Sequence, residues 1–352
     1  MTLTPTRRLL LVAACLPLLL VACTDAPGPS SSSGSSTSPA PTSTSTARAA
    51  STNASSALPT ASPSAPRSAP APKAGVVVAA AGDIACDPNH EAFAGGRGTP
   101  TDCQQLATSD LVLAMKPAKV LVLGDIQYEV GRLEDFKKSY DKSWGRFKDK
   151  TVPAPGNHEY GTGVTRGYFE YFGPKVGTKK KSWYSTDVGG WHVISLNSNC
   201  AQIGGCQVGS AQEKWLRADL AANKAKCTLA IWHHPRWTSG LRGNFSQVDG
   251  LWRTLAEAGA DVVLAGHDHH YERFAPLNAD GQVDPAKGIR SFVVGTGGRN
   301  LYPAFGRATG SEVRDSQTFG VLKLTLSPAS YTWEFVAVPG ESFSDTGSGS
   351  CH

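Results

Sequence analysis

Acids, imidazoles and one amide recur in five short segments of this chain: Gly82-Asp83, Gly124-Asp125-Ile126-Gln127-Tyr128, Gly156-Asn157-His158-Glu159, His233-His234-Pro235 and Gly266-His267-Asp268-His269. Asp83, Asp125, Asn157, His233, His267, His269 and the phenol of Tyr128 are enough donors to fill two adjacent metal ions. Two cations a few Å apart need a bridging anion that satisfies both and reduces their repulsion, and a carboxylate with two oxygens does so. Asp125, central among the segments, is the candidate bridge, and Asp83 would serve one ion alone. His267 and His269 are separated by a single residue, so they reach a common centre from different angles and serve different ions. Asn157 offers a neutral carbonyl oxygen and His233 a nitrogen to the same ion, whereas His158 turns away from the metals toward a substrate. Taken singly, a Gly-Asp is an ordinary turn and an Asn-His an ordinary surface loop. Their joint occurrence is what carries weight, because six of the nine histidines fall in these segments or directly beside them. His90, His192 and His352 read as ordinary loop, strand and tail residues. The chemistry this donor set suits is hydrolysis assisted by two metals.

The elements that must position these residues are apolar, β-branched runs. Gly75 to Ala81, Val120 to Leu123, Cys227 to Trp232 and Asp261 to Ala265 precede four of the segments, and the shorter Thr151 to Pro155 precedes the third. Polar residues at the carboxyl ends of such strands occupy the place where open α/β sheets bind ligands. Helical spacing marks Thr108 to Met115, Ala211 to Lys224 and Ser246 to Ala258. Ser182 to Asp187 and Trp191 to Asn197 flank Gly189-Gly190 as a hairpin, and Phe319 to Leu326 with Tyr331 to Val338 form another. These runs predict a mixed α/β sandwich rather than a single parallel sheet. Gly295-Thr296-Gly297-Gly298 lacks the Lys-Ser/Thr ending of a phosphate-cradling loop and reads as a tight turn near the site, with Arg299 a candidate phosphate contact. Tyr160, His234, Arg236 and His270 are further candidates for the leaving-group side.

Composition leaves room for one globular domain. Residues 1–23 read as a secretory signal: Arg7 and Arg8 precede an apolar stretch, Leu9 to Val21, too short to span a bilayer comfortably. Leu20-Val21-Ala22-Cys23 resembles the lipobox of bacterial lipoproteins, in which the cysteine is acylated, so Cys23 is a candidate anchor to the outer face of a membrane. Residues 24–73 are Ser, Thr, Pro and Ala, which cannot bury enough apolar area to offset their conformational entropy, and read as a tether. Residues 74–352 form the catalytic domain, closing in a Gly/Ser-rich tail. Cys86, Cys103, Cys200, Cys206, Cys227 and Cys351 lie beyond the tether, and an even number in an exported protein favours disulfides over a Cys-ligated zinc site. Proximity suggests Cys86 with Cys103 and Cys200 with Cys206, leaving Cys227 for Cys351. The net charge of +5 is modest and spread out. The run Lys179-Lys180-Lys181 reads as a solvated turn, so nucleic-acid binding is not expected.

The order GD, GDxxY, GNHE, HxP, GHxH resembles the calcineurin-like metallophosphoesterase superfamily and, through Tyr128, its purple acid phosphatase branch, over about Gly75 to Val338. Other branches place a metal-binding His where this chain has Ala85. Gly266-His267-Asp268-His269-His270-Tyr271-Glu272-Arg273 is also similar to the GHxHxYER segment of that branch. The resemblance implies a four-layer α/β/β/α sandwich of mixed sheets and hydrolysis of small phosphate esters by in-line attack of activated water. It places Asp83, Asp125, Tyr128 and His269 on a first metal, ferric iron, and Asp125, Asn157, His233 and His267 on a second, divalent Zn, Fe or Mn. His158 is then the catalytic residue at the phosphoryl group. The chain departs from the branch in reading Gly-Asp-Ile-Ala where Gly-Asp-x-Gly is usual, and in carrying a tether where plant enzymes have a fibronectin-like domain. A phosphate- or nucleotide-binding metal lipoprotein without turnover is the alternative reading.

Overall fold

The computed structural model describes residues 75–161 and 166–352. The signal-like segment, Cys23 and the tether lie outside the described residues. Among the described residues no helix is long and apolar enough to cross a membrane.

Among the described residues thirteen strands form two sheets. The first contains β1 (Val76–Ala81), β2 (Lys119–Leu123), β3 (Thr151–Ala154), β11 (Gly320–Ser327), β12 (Ser330–Ala337) and β13 (Thr346–Ser350), in the order β13-β12-β11-β1-β2-β3. The second contains β4 (Tyr184–Val188), β5 (Trp191–Ser195), β6 (Cys227–Ile231), β7 (Val262–Ala265), β8 (Tyr271–Phe274), β9 (Arg290–Val294) and β10 (Ser311–Asp315), in the order β10-β8-β9-β7-β6-β5-β4. Each sheet is mixed. β1, β2 and β3 run parallel, as do β5, β6, β7 and β9, while their flanking strands are antiparallel.

The central strands are apolar on both faces because both faces are covered. Val262 and Leu264 of β7 enter one core, which also holds Val78, Leu121 and Val321 of the first sheet; Val263 and Ala265 enter a second core with Leu216, Leu251 and Trp252 of the outer helices. Strand periodicity of two thus divides the side chains between an inter-sheet layer and a helix-covered layer. Helix Gln105–Met115 lies against β1 and β11, so the order is helix, sheet, sheet, helix, as expected.

Three helix boundaries differ from the sequence reading. The first helix begins at Gln105 rather than Thr108, because Gln105 and Thr108 are buried polar residues that break the apolar spacing; Thr108 Oγ1 donates to the Gly297 carbonyl. Ala211–Ala222 stops short of Lys224, since Asn223 is extended and its amide reaches Asp187. Ser246 to Ala258 divides into a 3-10 turn, Ser246–Val248, and the helix Asp249–Glu257. The Gly/Ser tail is also not an irregular end. It forms β13 on the edge of the first sheet, where a Cβ at Gly347 would fall 2.2 Å from the Trp333 ring and one at Gly349 would fall 2.5 Å from the Tyr331 ring. Glycine is required there so that the aromatic rings can lie flat on the strand.

The six described cysteines form Cys86–Cys103, Cys200–Cys206 and Cys227–Cys351, which leaves no free thiolate for zinc among them. The last bond closes a sequence separation of 124 residues and ties β13 to β6. Cys351→Ser is expected to lower unfolding free energy by about 2–4 kcal/mol. Denaturant unfolding under non-reducing conditions checks this, and a loss below about 1 kcal/mol would show that the clip does not constrain the unfolded chain as the loop-entropy argument requires.

Candidate metal centre

The parallel strands all deliver their functional residues at one end. Asp83, Asp125, His233 and His267 each stand two residues beyond β1, β2, β6 and β7, and Asn157 three beyond β3. The loops are then zipped to one another: Gly82 N donates across the sheets to Val294 O at 2.9 Å, and within each sheet Asp83 N donates to Gly124 O at 3.1 Å and Gly266 N to His233 O at 2.9 Å. The glycines of the motifs are what allow this approach. A Cβ at Gly156 would lie 2.1 Å from Asp125 Oδ1, and one at Gly124 would lie 2.7 Å from both Gly156 N and His233 Nδ1. Asp83, Asp125 and His267 themselves adopt φ of 58°, 46° and 71°, a left-handed conformation that costs free energy in non-glycine residues and concentrates at functional sites.

The side chains gather into two groups around Asp125. In one, Tyr128 Oη lies 3.0 Å from Asp83 Oδ1 and 3.0 Å from His269 Nε2, and His269 Nε2 lies 3.2 Å from Asp83 Oδ1. In the other, His233 Nε2 lies 3.1 Å from each of Asn157 Oδ1, Asp125 Oδ2 and His267 Nδ1. Donors at about 2.1 Å around an octahedral ion stand roughly 3.0 Å apart, so this spacing suits ligands sharing a cation. The hydrogen-bond pattern points the same way. His233 Nδ1 faces the Leu123 carbonyl at 2.9 Å and His269 Nδ1 faces that of Asn300. A carbonyl only accepts, so each Nδ1 donates to its carbonyl and each Nε2 is turned toward the acidic oxygens. Burial opposes a charge on His233, yet Asp125 and Asp83 raise it to about 9 without the ions, a proton that a bound cation would displace from Nε2. Acidic oxygens and imidazole nitrogens that converge in this way suit positive ions, and the residues present fit a pair of metals.

Burial and charge support that fit. Asp83 is fully buried and Asp125, Tyr128 and His269 are 2–3% exposed. Burial opposes ionisation of Asp125, yet the imidazoles of His233 and His158 hold its carboxyl well below the usual range. Burial, together with the neighbouring His233, pushes His267 down to about 3 and keeps it neutral, as a ligand must be. Asp125 Oδ1 accepts the main-chain N–H of His158 at 2.8 Å, and Oδ2 faces both groups.

His158 stands apart from this set. Its side chain is 28% exposed and its ring lies 4.2 Å from that of Tyr128, with Nε2 3.8 Å from Asp125 Oδ2 and Nδ1 on the Glu129 carbonyl. Glu159, a member of the motif to which sequence assigned no role, is buried and accepts three amides: Ile126 N at 2.9 Å, Gln127 N at 3.3 Å and Gly156 N at 2.7 Å. It therefore ties the Asp125 loop to the Asn157 loop. Tyr302, which no motif marks, stacks on His269 with ring centroids 4.0 Å apart. Ser198 was likewise missed, and its hydroxyl contacts His234 Nδ1 at 2.8 Å and the His233 amide at 3.3 Å.

The candidates for the leaving-group side fare differently. His234 is buried beside His267, its ring 4.4 Å away and stacked on Phe245. Arg299 packs over the Tyr128 ring but binds both oxygens of Asp102 at 2.7 Å. Three others are also engaged by neighbours. Tyr160 Oη donates to the Lys179 carbonyl and receives the Asn197 amide, Arg236 pairs with Asp249 and covers the Trp237 ring, and His270 is fully buried against Glu272.

Comparison with known proteins agrees with this geometry. Residues 77–271 match the calcineurin-like phosphoesterase family. Purple acid phosphatase 23 of Arabidopsis thaliana is 26% identical over 225 residues, 53% of this chain and 48% of the relative. Purple acid phosphatase 15 of the same plant is 26% identical over 221 residues, 52% of this chain and 40% of the relative. The chain thus spans under half the length of these curated relatives. A purple acid phosphatase from yellow lupin (Lupinus luteus) seeds shares the fold, with a TM-score of 0.61 at 19% identity over 77% of this chain and 53% of the other. The family match takes in every segment that contributes to the metal centre, and on that footing the chain belongs to the calcineurin-like phosphoesterases.

Proposed function

We propose that this chain is an exported, metal-dependent phosphoesterase acting on small phosphate esters. The observation that carries the reading is the convergence of imidazole nitrogens and acidic oxygens, about 3 Å apart, on either side of Asp125 Oδ2. In this reading Asp83, Tyr128 and His269 hold a first ion, ferric iron, while Asn157, His233 and His267 hold a divalent Zn, Fe or Mn, and Asp125 is shared. Such a pair of ions supplies Lewis acidity and an activated water. The chain's own part is to turn Nε2 of His233 and His269 toward the ions by holding Nδ1 on the Leu123 and Asn300 carbonyls, and to present His158 to the phosphoryl group and leaving oxygen. Purified protein is expected to hydrolyse p-nitrophenyl phosphate, to lose that activity with a chelator and to regain it on metal return. Iron-loaded protein is expected to absorb visible light through the Tyr128 phenolate, and Tyr128→Phe to remove the band. Turnover that survives chelation and dialysis overturns the metal-dependent reading, whereas a colourless, active iron form overturns the Tyr128 ligand alone.

Export rests on the three disulfides, which form and persist in oxidising compartments. Anchoring rests on Leu20-Val21-Ala22-Cys23. Cys23→Ser is expected to abolish lipid labelling and membrane fractionation while leaving the specific activity of the folded domain intact, and unaltered labelling would remove the lipoprotein assignment.

A further inference from the structure

Resting on the phosphoesterase reading above, we propose that Arg242 determines specificity on the leaving-group side of the metal centre, selecting phosphate esters whose leaving group carries a second anion. The position of Arg242 is built into the site. Its main-chain N–H donates to Asp268 Oδ1 at 3.0 Å, and Thr238 Oγ1 donates to Asp268 Oδ2 at 2.9 Å, so Asp268, lying between His267 and His269, anchors the loop from both ends. The approach is close: a Cβ at Gly240 would fall 2.3 Å from Asp268 Cγ. The guanidinium lies 5.7 Å from the centre of the Tyr302 ring, which stacks on His269 at 4.0 Å and 11°. Tyr302 N donates to the His269 carbonyl at 2.9 Å, and Phe305 N to that of Ser239 at 3.0 Å, which joins the Tyr302 loop to the Arg242 loop. Arg242 is thereby tied to the metal centre in two ways, through Asp268 between His267 and His269 and through the Tyr302 ring that stacks on His269.

Charge distinguishes this arginine from its neighbours. Arg236 is held by Asp249 and Arg299 by Asp102. Arg242 is exposed and, among the described residues, has no carboxylate within ion-pair distance. Residues 237–248 and 300–311 contain no Asp or Glu, so the positive field on this side is not neutralised locally. An ester substituent that leaves the centre beside Tyr302 and Asp268 would meet this guanidinium. Guanidinium has a planar set of donors suited to a carboxylate or a second phosphate, and its contact with Tyr302 restricts the orientations it must give up on binding.

The test uses ligands that are not hydrolysed, so that it does not depend on turnover. Phenylphosphonate and its 3- and 4-carboxy derivatives are titrated calorimetrically into the zinc-loaded protein. At least one carboxylated ligand is expected to bind about tenfold more tightly than phenylphosphonate, consistent with one charge-assisted hydrogen-bonded pair. Arg242→Gln is expected to bring that ratio near one, and Arg242→Lys to restore part of it. Equal affinities in the wild type, no binding of any of the three, or a preference that survives Arg242→Gln each overturn the proposal. Failure of the wild type to hydrolyse p-nitrophenyl phosphate would instead remove the phosphoesterase reading, and the affinity ratio would still decide the role of Arg242.

Discussion

Replacing Asp125 by Ala is expected to strip at least one metal from the protein and to remove nearly all turnover. Asp125 Oδ2 faces both donor groups, 3.4 Å from Tyr128 Oη and 3.1 Å from His233 Nε2. Without it two cations have no shared anion between them, and their repulsion is screened only by ligands at the periphery. Losing a residue that merely orients a ligand costs about 10–100-fold in metal affinity or activity, and the loss of a shared ligand should exceed that. The change also frees the His158 main-chain amide from Oδ1, so the loop that carries this imidazole loses a support at the same time. Metal content per protein and p-nitrophenyl phosphate turnover are the primary measurements. Thermal unfolding provides a separate check. Wild type is expected to gain stability when metal is added, because only the folded state presents the site, whereas the variant should gain little. A wild-type complement of two metals in Asp125→Ala would show that the bridge lies elsewhere.

The parts of this site that were legible in the sequence are those fixed by local chain order. An apolar run followed by Gly-Asp or Gly-His announces a strand end with a polar tip, and the structure places Asp83, Asp125, His233 and His267 each two residues past a strand. The motif glycines were legible too, although their reason was not. That a Cβ at Gly156 would collide with Asp125 Oδ1 depends on the approach of two loops 31 residues apart, which no local pattern encodes. Residues acting across the fold were correspondingly hard to see. Tyr302 lies in a loop of Pro, Ala, Gly and Phe without a polar motif, yet its backbone binds His269 and its ring covers the imidazole. The protein partners of Arg236, His270 and Tyr160 were equally hidden from sequence. Each is near a motif in sequence, but an acid or a carbonyl from another element claims it: Asp249, Glu272 and Lys179. The tail misled for a related reason, since glycines that suggest a loop in isolation are needed in β13 to admit Trp333 and Tyr331.

His158→Ala should separate binding of metal from chemistry. The residue adjoins Asn157 in sequence, so proximity alone would make it a ligand, but its environment differs from that of the donors. Its Nε2 is 3.8 Å from Asp125 Oδ2, beyond hydrogen-bond reach, and its side chain is 28% exposed where those of His233 and His269 are 0% and 3%. Its Nδ1 rests on the Glu129 carbonyl, which leaves Nε2 as the free atom of the ring. An imidazole so placed meets a phosphoryl oxygen or the leaving oxygen and can donate a proton or a hydrogen bond as charge develops there. Groups of that kind contribute about 10²–10⁴-fold to rate. Removal is therefore expected to lower kcat by roughly 10²–10³-fold while both metals stay bound, because the side chain that is lost is not one of the donors. His158→Asn, which retains a hydrogen-bond donor near the same place, should recover part of the loss. The outcome is read from metal analysis alongside kcat: a variant that keeps its rate, or one that loses metal in step with activity, would assign His158 to a different role. Glu159→Gln supplies the contrast, since it perturbs the amides of Ile126, Gln127 and Gly156 that hold the two loops together and leaves the His158 ring in place.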